Sequence, residues 1–113
     1  MAESIEVRMI PGDPVVVEVT GRIMYDTLRP LADTLGDLDP AADPHVVLQL
    51  SQAPMCDSSG LNLFVRTHSA LVGAGGWLRL AAAPPMIEKV LDITNLDRIL
   101  PVYRSVEEAA AAP

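Results

Sequence analysis

A chain of 113 residues, 50% apolar and 20% charged, is sized for one folded domain over 1–113, with a core that needs neither metal nor disulfide. Its net charge of −7 and the lack of a basic stripe argue against nucleic acid and anionic membrane, and favour at most a basic protein partner. A single cysteine, Cys56, excludes an internal disulfide; there is no apolar run of about 18 residues, and Met1-Ala2-Glu3-Ser4 does not start like a secretory signal, so a soluble cytoplasmic domain is expected.

Ile5, Val7 and Met9 alternate with Glu6 and Arg8, which predicts a half-buried strand. The turn signal Pro11-Gly12-Asp13-Pro14 leads into Val15, Val17 and Val19, a second strand that should pair antiparallel with the first. Leu28, Leu31, Ala32, Leu35 and Leu38 have helical spacing, with Asp26 or Thr27 as the expected cap and Pro30 tolerated in the first turn. Residues 36–44 read as a connecting loop, and Val46, Leu48 and Leu50 as a third strand.

Ser51 to Asp57 reads as a short loop before a second helix over about 58–72, striped by Leu61, Phe64, Val65, His68, Leu71 and Val72. Gly73-Ala74-Gly75-Gly76 stops that helix. Trp77 to Ala81 forms a fourth strand, and Pro84 or Pro85 opens a third helix carrying Ile87, Val90, Leu91 and Thr94 inward. Asn95 suits its C-terminal cap. Ile99 to Tyr103 adds a short strand, and Ser105 caps a last acidic helix.

Strands joined through helices pair in parallel. These strands alternate along their length, unlike those of a doubly covered parallel sheet. The expected fold is therefore α/β: a mixed sheet of four to five strands, helices mainly on one face and the other face partly exposed.

Most chemical machinery is missing from this sequence. His45 and His68 have no companions at metal-ligand spacing, so no metal is expected, and His68 reads as a packed, hydrogen-bonded residue. A hydrolase elbow is ruled against because Cys56 stands where a glycine belongs, and His68 lies about 15 Å along the same helix from Ser58. The glycine-rich run at 73–76 ends a helix and does not begin one, which is the wrong place for a phosphate loop. Cys56 reads as a small buried residue with a raised pKa beside Asp57.

What stands out is Asp57-Ser58-Ser59-Gly60 at the head of the second helix. Capping accounts for one or two of these residues, at about 1 kcal/mol. It does not account for both serines, nor for a glycine in the first turn, which is expected to leave backbone bare. A serine at a helix start can also carry a phosphate without unfolding the helix, because the dipole and free N–H groups favour an anion.

The chain resembles the STAS domain of bacterial anti-sigma factor antagonists. The resemblance covers almost the whole sequence. It rests on Val46-Val47-Leu48-Gln49-Leu50, on Asp57-Ser58-Ser59-Gly60-Leu61, on Gly75-Gly76, Leu78, Leu80 and Pro84-Pro85, on the run from Val90 to Asp97, and on Val102-Tyr103 before Ser105 to Ala109. It implies phosphorylation of Ser58 by an anti-sigma factor that is an ATP-dependent serine kinase of the ATPase fold. A PP2C-type serine phosphatase would reset it. The unphosphorylated form would bind the anti-sigma factor and release the sigma factor. The implied partner surface holds Asp57, Ser58, Ser59, Gly60 and Met24; at Met24 the chain departs from the family, which often has an acidic residue there. The resemblance implies no enzyme activity and no cofactor in this chain. The alternative is a STAS module that binds a small ligand or serves as a scaffold.

Overall fold

The computed structural model describes residues 4–113; Met1-Ala2-Glu3, and the reading of them as the start of a non-secreted chain, lie outside the described residues. The strands are β1 (Glu6–Ile10), β2 (Val15–Thr20), β3 (His45–Gln52), β4 (Trp77–Ala81) and β5 (Val102–Tyr103). The α-helices are α1 (Arg29–Gly36), α2 (Ser58–Gly73), α3 (Pro85–Ile93) and α4 (Val106–Ala111), with a short 3-10 turn at Leu96–Arg98.

The five strands lie side by side in chain order. β1 and β2 form the antiparallel hairpin, with Val7 opposite Val19. β2, β3, β4 and β5 are parallel, since a helix carries the chain back after each of the first three. Val17, Leu48 and Leu80 stand opposite one another across β2, β3 and β4, and the β2–β3 register shifts only past Glu18.

That alignment gives one apolar face. Val15, Val17, Val19, Val46, Leu48, Leu50, Leu78 and Leu80 are all buried there, under Leu31 and Leu35 of α1, Phe64 and Leu71 of α2, and Ile87 and Leu91 of α3. Burying one such side chain stabilises by about 1.5–3 kcal/mol, so this layer dominates the fold. β1 is the exception. Ile5 is buried and Val7 half-buried, but Met9 is 45% exposed, because this edge strand is covered only near its start.

Among the described residues, the opposite face is partly covered, by α4. Val47 and Ala81 are buried there against Ala109, with Trp77 and Tyr103 packed beside them. Arg79 points into this layer and is almost fully buried. Its guanidinium lies 3.8 Å from the Trp77 ring centroid, and it donates to the carbonyl oxygens of Ala109 (2.7 Å), Ala112 (2.9 Å) and Pro113 (3.0 Å). A buried cation is costly unless paired; here the open carbonyls at the end of a helix serve as its partners.

Two details of α2 differ from the apolar stripe read in the sequence. Val72 is 52% exposed, while Leu63 is buried. At 100° per residue Leu63 falls on the opposite flank from Val72, and α1 lies on that flank: Leu35 and Leu63 line a common groove. Gly75 ends the helix with φ +85°, a backbone that glycine adopts freely.

Candidate functional site

The site lies at the C-terminal ends of β2 and β3. Past Thr20, the chain continues alongside the segment that leaves β3. Gly21 N–H donates to Gln52 O (2.9 Å), Ile23 N–H to Met55 O (3.0 Å) and Asp57 N–H to Ile23 O (3.0 Å), and Ile23 pairs in parallel with Cys56. These rungs bring residues 23–27 beside residues 55–60, although 32 positions separate Tyr25 from Asp57.

Asp57 is the N-cap of α2, in extended backbone. Its Oδ1 accepts from Ser59 N–H (2.9 Å) and Gly60 N–H (3.2 Å). Its Oδ2 accepts from Tyr25 N–H (2.9 Å). One carboxylate thus satisfies two free donors of the helix start and a third from another loop.

Ser58, the first helical residue, is exposed. No hydrogen bond to another side chain or to backbone holds its hydroxyl among the described residues. The first turn of α2 contains no acidic side chain. Ser58 and Ser59 line an open groove together with Leu61, Val65, Thr94 and Leu96.

Gly60 works differently from the sequence expectation. It is buried, not bare. A Cβ there would overlap the Cys56 Sγ and come within 2.8 Å of Ile23 Cγ2. The residue is needed so that α2 can sit directly on the Ile23–Cys56 rung. Cys56 itself is buried, and loss of hydration, followed by the charge of Asp57, pushes its thiol up to about 12. His68 accepts from Leu78 N–H through Nδ1 (3.2 Å), and burial lowers its pKa.

The loop between β2 and α1 also corrects the sequence reading. Neither Asp26 nor Thr27 caps α1; Leu28 occupies the cap position and no side chain bonds the helix start. Thr27 is buried, and its hydroxyl is engaged within the turn, donating to Arg22 O (2.7 Å) and accepting from Met24 N–H (2.9 Å). Met24 is half-buried at the start of this turn, and Tyr25, at its tip, is 83% exposed. The structure therefore brings Met24, Asp57, Ser58, Ser59 and Gly60 together, as the sequence reading has them. Tyr25 belongs with them and was missed, because its link to Asp57 is a backbone bond that no side-chain pattern announces.

Among the described residues no group of three or more His, Cys, Asp or Glu side chains could hold a metal. None of the described helices is long and apolar enough to cross a membrane.

The STAS domain family model matches residues 4–109. The chain belongs to the STAS domain family. Among solved structures, this STAS chain is similar to an anti-sigma factor antagonist from Mycobacterium paratuberculosis, with TM-score 0.82 and 26% identity over 93% of this chain and 90% of that one. It also matches the Bacillus cell fate determinant SpoIIAA in its phosphorylated form, with TM-score 0.70 over 93% of this chain and 95% of that one; at 18% identity that likeness shows the fold alone. An anti-sigma F factor antagonist of Paenibacillus polymyxa is 30% identical over 59 residues, 52% of this chain and 50% of that protein. A candidate anti-sigma factor antagonist of Thermotoga neapolitana is 36% identical over 64 residues, 57% of each chain. The STAS chain thus spans about half the length of the curated relatives it matches.

Proposed function

We propose that residues 1–113 act as one cytoplasmic STAS module, an anti-sigma factor antagonist switched by phosphorylation of Ser58. In this reading the unphosphorylated protein binds an anti-sigma factor of the serine-kinase, ATPase-fold type and so releases the sigma factor. The kinase transfers the γ-phosphoryl of ATP to the Ser58 Oγ, its own base takes the hydroxyl proton, and ADP leaves. A PP2C-type phosphatase hydrolyses the ester, returning the serine and inorganic phosphate. ATP and catalytic groups belong to the partners; this chain supplies the acceptor and the surface, with Met24, Asp57, Ser59 and Gly60 around it.

The observation that carries the reading is the state of Ser58: exposed, its hydroxyl without a hydrogen-bond partner among the described residues, at the first position of a 16-residue helix whose opening turn has no acidic side chain. A phosphate there adds up to about two negative charges at the positive end of a helix, so the fold tolerates it. The same charge, next to Asp57, disturbs any partner packed against this surface. The names of several similar proteins support the antagonist role.

The test is to incubate the protein with ATPase-fold anti-sigma kinases and ATP, and to map phosphate by mass spectrometry. Ser58→Ala should accept none and still bind; Ser58→Asp should lose binding. If no such kinase modifies Ser58 and Ser58→Asp binds as tightly as the wild type, the reading is wrong.

A further inference from the structure

Asp57 does more than a cap requires. Serine and asparagine cap helices about as well as aspartate. Each offers one acceptor oxygen on its side chain, and one is enough for α2, since Oδ1 alone takes both Ser59 N–H and Gly60 N–H. Only a carboxylate has a second acceptor to spend, and here it is spent on Tyr25 N–H across 32 residues. Thr27 closes the turn on itself and on Arg22. The backbone rung from Asp57 N–H to Ile23 O ends just before the turn. Among the described residues, the Oδ2 bond is the one hydrogen bond that joins residues 24–27 to the head of α2.

We propose that Asp57 is a positioning residue: its second oxygen latches the Met24–Tyr25 turn beside Ser58, so that the kinase meets the Tyr25 ring and the Ser58 hydroxyl as one rigid surface. The proposal rests on the phosphoswitch reading for its partner. Tyr25 is the most exposed of the large apolar or aromatic side chains described, at 83%. An exposed tyrosine is a frequent anchor at protein interfaces, since its large ring loses little conformational freedom on binding. Fixing the turn in advance removes an ordering cost from the encounter. Charge from the carboxylate is thereby given a structural use, and not only an electrostatic one, next to the acceptor serine.

Asp57→Asn and Asp57→Ser both keep an oxygen for the helix start and both lose the latch. In Asp57→Asn the amide NH2 faces the Tyr25 N–H, donor against donor. The first measurement is amide hydrogen exchange on the isolated protein. In both variants Tyr25 N–H should exchange about tenfold faster or more, as expected for losing a charge-assisted hydrogen bond, while Ser59 and Gly60 keep their protection. Unchanged exchange at Tyr25 overturns the latch.

The second measurement is steady-state phosphorylation by the kinase that modifies wild-type Ser58. Asp57→Asn, Asp57→Ser and Tyr25→Ala should each raise KM for this protein by about tenfold with kcat little changed. The effects of Asp57→Asn and Tyr25→Ala should not multiply in the double variant, because both act through the turn. Multiplying effects, or a fall in kcat for Asp57→Asn alone, would show that Asp57 acts directly by its charge and would overturn the positioning role. If no kinase modifies the wild type, the phosphoswitch reading fails and the recognition role of Tyr25 falls with it; the exchange experiment still decides the latch.

Discussion

Two helices of this molecule begin with a polar cap in extended backbone, and they use it differently. At α4, Ser105 Oγ accepts from Glu108 N–H (3.1 Å), and the Glu108 carboxylate turns back to accept from Arg104 N–H (3.3 Å). Every partner lies within four residues. Glu107 and Glu108 already occupy its positive end. At α2, Asp57 joins the helix start to a distant loop, its first turn holds no acid, and Gly60 seats the turn on buried Ile23 and Cys56. One head is self-contained and carries two glutamates in its first turn. The other is tied to the rest of the fold, and its one carboxylate is the Asp57 cap itself. Two serines at helix starts thus stand in different surroundings, and on the phosphoswitch proposal that difference separates them.

The largest test of that contrast concerns the base of the α2 head. With its thiol pushed up to about 12 from an ordinary value near 9, Cys56 should react with a thiol reagent at pH 8 roughly a thousandfold more slowly in the folded protein than in urea. The folded state holds this proton more tightly than the unfolded one. Stability should therefore be intact below about pH 9 and decline as pH rises from there toward 12, a loss that Cys56→Ala removes in alkaline denaturation curves. Rapid labelling of the native thiol would show the head to be open.

Next in size is Gly60→Val. Its Cβ would overlap Cys56 Sγ, so an expected loss of about 3 kcal/mol should appear as a lower urea midpoint. An unchanged midpoint would mean that α2 does not need close contact with the Ile23–Cys56 rung. The two serines themselves come third. Under a kinase that modifies Ser58, Ser105 should be modified at least about tenfold more slowly, because its oxygen is engaged and two glutamates repel the incoming phosphate. Phosphopeptide mapping over a time course reads that ratio. The smallest difference is in the caps. Asp57→Ala should cost about 1–2 kcal/mol and Ser105→Ala about 0.5–1 kcal/mol, since only the former also releases a bond to another loop. Equal losses in thermal unfolding would erase the contrast.

The sheet was legible because its side chains alternate: Val15, Val17, Val19, Val46, Leu48 and Leu50 follow a period of two, and the turns between strands carry proline and glycine. The helix starts at Asp57 and Ser105 were legible because a local side-chain bond leaves a local pattern. What was not legible depends on contacts between distant segments. Leu63 and Val72 exchange roles because α1 lies on one flank of α2. Thr27 looks like a helix cap, yet it closes a turn whose shape is set by the Ile23–Cys56 rung. Gly60 looks like open backbone and is instead a contact point. Asp57 was seen, but its second oxygen was not, because its partner is a backbone N–H with no residue preference.

Arg79 has a consequence at the far side of the sheet. Its guanidinium lies over the ring of Trp77, the chain's sole tryptophan, while its N–H groups hold the carbonyl oxygens that end α4. Indole and helix end are thereby connected through one side chain. The protein carries a built-in optical gauge: undocking of α4 would open the indole to water and change its emission, whereas events at Ser58, on the other side of the core, would leave the signal still. A probe-free fluorescence trace can therefore follow the tail separately from the head of α2.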